Sequence, residues 1–337
     1  MTMDRPQQFA FARQSAGHAP LRRPGSVRRT TSIDSDWPDG YGQPWTMIGR
    51  ARDLLTPADG GEAEVLDSGQ YRITASPIRE ILAIEASPDH PRLQEMVGVR
   101  AGGASRLALA DKLGDLRGSA LYQVLDDYAG ASLVAGWIWS QWIDDWLDGA
   151  RSAPLRSTAG KGGKMINICT GFAPGASSLQ EDGSVRHNSQ SSTEVGPLEN
   201  PDDPIGWHHL PFQKGPQKRR ARRIDVWREG DLIKVDAGFQ DSGSNPEGGR
   251  TAVHEYRLFA EIDAATGRLL ALQVLPMILP FRECPGASIK ATRMIGQDLS
   301  TFREAVLETL PSTLGCTHLN DVLRALADVP LLATGLR

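Results

Sequence analysis

Hydrophobic and polar positions change rhythm several times along the chain, and those changes divide it. Residues 1–26 mix Gln, Arg, Pro, Ser and Gly without apolar periodicity and read as a disordered tail. Short β-type stretches then occur at residues 30–33 and 47–54, followed by a longer pair at 64–76 and 78–86, broken by Pro77. Helical spacing covers residues 91–110 and 119–147. Towards the other end Ile233, Val235, Ala237 and Phe239 alternate with their neighbours. A turn at Asp241-Ser242-Gly243 leads to a second strand at 252–263, and a third follows at 269–279, an antiparallel meander. Three helices come next: one after Pro285, one with Leu299, Phe302, Val306 and Leu310 on a face, and one with Leu319, Val322, Leu323 and Leu326 on a face.

This order predicts an α+β fold of two similar modules, each an antiparallel three-stranded meander packed against helices. The first module spans 27–150, a long irregular linker or lid spans 151–220, and the second module spans 221–337. The last helices of the two modules align. Leu121–Ala135 and Leu319–Ala333 share Leu, Val, Leu, Ala, Leu and Ala at matching positions, which reads as an internal duplication. Trp139, Trp142 and Trp146 fall on one helical face, suited to core or inter-domain packing or, alternatively, to a stacking platform. Lys214–Arg223 holds six basic residues in ten; with no aromatic residue interleaved and a strand beginning at Ile224, it reads as a solvated junction.

Composition narrows the class of function. Thirty-seven Lys+Arg against 41 Asp+Glu leave a net charge of only −4, so a whole-surface basic field for nucleic acid is excluded. The longest strongly apolar run, residues 133–143, is well short of the ~20 residues a membrane crossing needs. Three cysteines, an odd number in a long chain, argue for a reducing compartment, and the expected location is cytoplasmic. The partners this leaves are a small-molecule substrate and a protein partner or second copy, with no nucleic acid and no membrane.

The residues able to do chemistry gather in the second module. Cys284 stands where a strand gives way to a helix and Cys316 at the start of another helix, where free N–H groups favour thiolate. His318 lies two residues beyond Cys316, and His254 alternates with Tyr256, Leu258, Ala260 and Ile262 on the apolar face of its strand. Asp241 occupies the turn before that strand. Cys316, His318 and His254 are the candidate catalytic residues; Cys284, Cys316, His318 and Asp241 are the candidate ligands of a metal, zinc or iron. The first module has only Ser119-Ala120 where the second has Cys316-Thr317-His318. Cys169 reads as a packed cysteine anchoring the long segment, and Gly160-Lys-Gly-Gly-Lys164 as weak phosphate-binding material. No GxxxxGK[ST], GxSxG or HExxH motif is present.

Several of these residues resemble a bacterial family known as a domain of unknown function, DUF2889. The resemblance rests on His254-Glu-Tyr-Arg-Leu with Asp263, on Leu279-Pro-Phe-Arg-Glu-Cys284-Pro and on Gly315-Cys-Thr-His-Leu319; Arg28-Arg-Thr-Thr31, Arg50-Ala-Arg-Asp53 and Trp207-His208 support it. It implies no established activity. The meander ending in one cysteine and the last helix begun by another are also similar to iron–sulfur scaffold and sulfur-acceptor proteins of the IscU/NifU and SufE type. That likeness departs at Asp241, where the scaffold proteins carry a cysteine region. Two functional expectations follow: an enzyme acting on a small organic acid or thioester through a Cys/His site, or a sulfur or iron–sulfur carrier. A purely structural protein with buried cysteines is the third.

Overall fold

Two successions of four antiparallel strands meet edge to edge in the computed structural model, which describes residues 6–143, 165–186, 190–212 and 214–336. The first comprises β1 (Ser26–Asp36), β2 (Trp45–Thr56), β3 (Glu64–Ala75) and β4 (Ile81–Ser87). β5 (Thr193–Val195) is short. The second succession comprises β6 (Gln217–Glu229), β7 (Leu232–Ser244), β8 (Arg250–Asp263) and β9 (Leu269–Ile278). β1 and β6 pair along their whole length, from Ser26 opposite Trp227 to Asp36 opposite Gln217. The order is therefore β4-β3-β2-β1-β6-β7-β8, with β9 along most of β8 and β5 along its start.

Helices and antiparallel strands both contribute, as the α+β expectation requires, but the sheet is continuous. Where three strands were expected in each of two modules, the described residues form one nine-stranded sheet. The strand expected to begin at Ile224 starts earlier, at Gln217, and takes in the basic run. Residues 218–223 lie inside β6 at the centre of the sheet, with Lys218, Arg219, Arg220, Arg222 and Arg223 all buried. The solvated-junction reading is thus overturned, and the reason is charge pairing: alternate side chains of β6 reach carboxylates on opposite faces of the sheet.

The helices are α1 (Gly103–Lys112), α2 (Ala120–Asp126), α3 (Tyr128–Ala131) and α4 (Ala135–Trp139), then α5 (Gly286–Lys290), α6 (Phe302–Thr309), α7 (Thr317–Ala325) and α8 (Val329–Thr334). Strand periodicity decides what they cover. On β3, Gly69, Tyr71 and Ile73 point inward while Ser68, Gln70 and Arg72 stay exposed. α2 starts at Ser119, whose Oγ accepts the Tyr122 N–H at 3.1 Å, and packs on β2 and β3. The contact is close: a β-carbon on Gly69 would lie 2.7, 2.8 and 2.9 Å from Cβ, Cα and N of Leu121. Gly69→Ala should therefore cost about 1–3 kcal/mol in urea unfolding by pushing α2 off the sheet. An unchanged midpoint would show that the helix yields freely.

The Trp stripe is only partly helical. α4 ends at Trp139, which is buried against Trp37 and Tyr41; Trp142 Nε1 donates to the Ser244 carbonyl at 2.9 Å, and Trp146 lies outside the described residues. The rest of that segment up to residue 164, including Gly160–Lys164, also lies outside them.

One further expectation is corrected, for the start of the chain. Residues 6–25 are not a free tail: Phe9 N–H donates to Arg282 O, Leu279 N–H to Ala12 O, and Ala19 N–H to Leu198 O, each at 2.9 Å. The edge groups of β9 and its following turn supply partners that composition does not reveal. Residues 165–186 and 190–212 likewise pack on the body, with Thr170 N–H on Gly315 O and Ser191 N–H on Pro280 O, both at 2.8 Å. Among the described residues no helix is long and apolar enough to cross a membrane.

Candidate functional site

Three neighbouring strands and one helix bring the candidate residues together. Arg220 of β6 stands opposite Asp241 of β7, and Asp241 stands opposite His254 of β8, so all three project from the helix-covered face. α7 closes over them. Its N-cap is Cys316 and its second residue, His318, turns inward. The His254 and His318 rings stack with centroids 3.6 Å apart and planes inclined by 16°. His318 Nε2 lies 3.4 Å from Asp241 Oδ2, without the alignment of a hydrogen bond.

One ring nitrogen from each histidine and one oxygen of Asp241 lie within 4.8 Å of one another, the only such group of three potential metal ligands among the described residues. His254 Nδ1 and His318 Nε2 are buried and lack hydrogen-bond partners. Unpaired imidazole nitrogens are costly in an interior unless something takes their lone pairs.

Cations surround this group. Arg220 binds Asp241 through Nε at 3.1 Å and Nη2 at 2.8 Å, and reaches Asp321 of α7 with Nη1 at 2.8 Å. Lys218 Nζ donates to the Ala131 carbonyl at 2.7 Å and lies 3.6 Å from Asp241. Arg222 forks onto Asp127 at 2.5 and 2.8 Å. Only glycine fits at 130, because a β-carbon there would fall 1.9 Å from Arg220 Nη1. Despite burial, the charges of Arg220 and Lys218 hold the Asp241 carboxyl far below the usual range. Burial brings Lys218 down to about 8. Burial also drives His318 to about 3 and His254 well below its ordinary value, so both imidazoles are neutral.

The thiols fall differently from the expectation. Cys316 Sγ lies 4.0 Å from His318 Nδ1, but neither Cys316 nor Cys284 belongs to the three-residue group. Cys284 turns instead towards Gly171, where a β-carbon would meet its Sγ at 2.6 Å and that of Cys169 at 3.9 Å. The lowered thiol pKa expected at element ends is not found. Burial pushes Cys169 up to about 12, Cys284 well above and Cys316 above the ordinary thiol value, and outweighs the backbone N–H groups at each position. Cys169 is half-buried beside Gly171. Sequence reasoning missed Lys218, Arg220, Arg222 and Asp321; the available signal was the period-two spacing of the basic residues, which is that of a strand.

Residues 218–332 match the model of a family described as "Protein of unknown function (DUF2889)", in agreement with the resemblance noted from the sequence. The match contains Lys218, Arg220, Asp241, His254 and His318. No curated protein matches the chain. No solved structure matches it either.

Proposed function

We propose that the protein is a cytoplasmic metal-dependent enzyme whose ion is a first-row divalent cation, zinc or iron, held by Asp241, His254 and His318. The convergence of one nitrogen from each of two buried imidazoles and a carboxylate oxygen within 4.8 Å carries this reading, together with the lack of hydrogen-bond partners at His254 Nδ1 and His318 Nε2. Metal ligation requires neutral imidazole, which burial enforces here. Three protein ligands leave positions open for water or for a substrate oxygen. An ion there would supply Lewis-acid polarisation of a carbonyl, in line with a small organic acid or its thioester as substrate.

The two halves of the sheet support an internal duplication in which only the second keeps the centre. Arg29 and Asp53 form a cross-strand pair on β1 and β2 as Arg220 and Asp241 do on β6 and β7. The position opposite Asp53 on β3 is Asp67, which caps the start of α2 through the Ala120 N–H at 2.7 Å, where the second half has His254 facing His318.

A thiol mechanism is the second reading, favoured by the 4.0 Å approach of Cys316 to His318. It demands that His318 accept a proton, and Lys218, Arg220 and burial oppose that. The carrier reading asks for a thiolate, which burial disfavours at Cys284 and Cys316; in enclosure the thiols and the Asp/His/His group are alike.

Metal analysis of the purified chain should find about one zinc or iron per molecule. His318→Ala and His254→Ala should each lower it about tenfold or more, while Cys316→Ser leaves it unchanged. Wild-type protein without bound metal after growth in zinc- and iron-supplemented medium would overturn the reading.

A further inference from the structure

The face of the sheet opposite the helices holds a second concentration of charge. On β1, the hydroxyls of Thr30 and Ser32 contact the two ring nitrogens of His208 at 2.8 and 2.7 Å. Their neighbours on β2 are Arg52 and Arg50. Arg50 and Arg219 share Asp34 at 3.0 and 2.6 Å. Arg22 binds Asp203 at 2.9 Å, and Arg28 lies 3.7 Å from Asp203 and 2.6 Å from Asp225. Around His208 these five guanidinium groups face three carboxylates, Arg72 and Asp36 adding one of each further along the same face, and Asp225 is further drawn on by Arg223. His208 adds no compensating charge: burial and the nearby arginines hold it neutral, at about 3.

Arg52 is the member left over. Among the described residues no carboxylate lies within ion-pair distance of it, its Nη2 donates to the Ile205 carbonyl at 2.5 Å, and its buried Nε has no hydrogen-bond partner. Unlike its buried neighbours Arg28 and Arg219, Arg52 is only half-buried and stands at the rim of residues 203–210. Beyond that rim the sheet face is open, with Ser68, Gln70 and Arg72 exposed on β3.

We propose that Arg52 and Arg50 form a binding site for a phosphoryl group. Their side chains leave the same face of one strand, about 7 Å apart at the backbone, and each guanidinium keeps donors beyond its contact with Asp34 or with the Ile205 carbonyl for an oxyanion to engage. A phosphoryl group carries close to two negative charges at neutral pH and so matches the surplus of positive charge. A carboxylate, with one charge and two oxygens, matches it less well. The site lies across the sheet from the histidine centre and is independent of whether a metal binds there.

The test is calorimetric titration of the full-length chain at constant ionic strength with inorganic phosphate, glycerol phosphate and malonate in separate arms. Phosphate is expected to bind more tightly than malonate, and Arg52→Gln to weaken it at least about tenfold without altering metal content. Tighter binding of glycerol phosphate than of inorganic phosphate identifies an ester as the ligand; the reverse identifies free phosphate. Should Arg52→Gln fail to fold, phosphate should still shield Arg52 of the wild-type protein from an arginine-specific dicarbonyl reagent, read by mass spectrometry. Phosphate binding no tighter than malonate binding, unchanged affinity in Arg52→Gln, or no shielding of Arg52 would each overturn the proposal.

Discussion

Acidification is expected to unfold the metal-free protein well before its carboxylates titrate. His208 and His318 have folded-state values near 3 against 6.5 in an unfolded chain, and His254 is shifted the same way. Between those limits the unfolded chain binds protons that the folded one refuses. The stability from keeping these rings neutral is therefore present above pH 6.5 and falls as pH drops towards 3. Each histidine contributes a slope of about 1.4 kcal/mol per pH unit, so three together remove on the order of 4 kcal/mol per unit. Two units of acidification would then consume most of the 5–15 kcal/mol typical of a folded domain. Asp126, held at about 2 by Arg324 and Arg303 against its burial, adds its own loss only below the ordinary carboxylate value of 3.8. Urea midpoints from pH 7.5 to 4.5 check this, with His208→Gln expected to remove about a third of the slope. A flat midpoint between pH 6.5 and 5 would show that these rings are not buried neutral.

Arg220→Met should be the most damaging single replacement on β6. The methionine keeps much of the aliphatic volume but leaves the buried Asp241 with only Lys218 at 3.6 Å and takes one cation from Asp321, which keeps Arg106 at 2.5 Å. Removing one partner of a buried ionic set typically costs about 3–5 kcal/mol. Asp241 is also a proposed ligand. Once Arg220 no longer offsets its desolvation, its carboxyl should take up protons more readily and metal retention should fall with stability. Combining Arg220→Met with Asp241→Asn should recover part of the stability, since it is the underpaired buried charge that is costly. Chemical denaturation of the single and double variants measures both effects. A loss under 1 kcal/mol for Arg220→Met would mean that Lys218 or water replaces the guanidinium.

The chain itself determined most of the local structure and part of the site. Alternation in 233–239 and 252–263, the turns that separate those strands, and the apolar faces of α6 and α7 are encoded within a few residues of one another, because side-chain direction repeats every two residues in a strand and every 3.6 in a helix. The same rule put His254 on the covered face of β8, and Cys316 with His318 at the start of the last long helix. Only the tertiary structure decided that residues 218–223 are interior. A run of lysine and arginine looks solvated until Asp34, Asp127, Asp241 and Asp321, scattered over the whole chain, are brought beside it. Tertiary structure also selected His254, not Cys284, as the companion of Asp241 and His318: strand register set Asp241 opposite His254, while the turn after β9 carried Cys284 towards Gly171. Side-chain direction is a local property of the backbone, but the partner that makes a buried charge or an unpaired nitrogen tolerable comes from sequence-distant segments, and chain folding alone brings the two together.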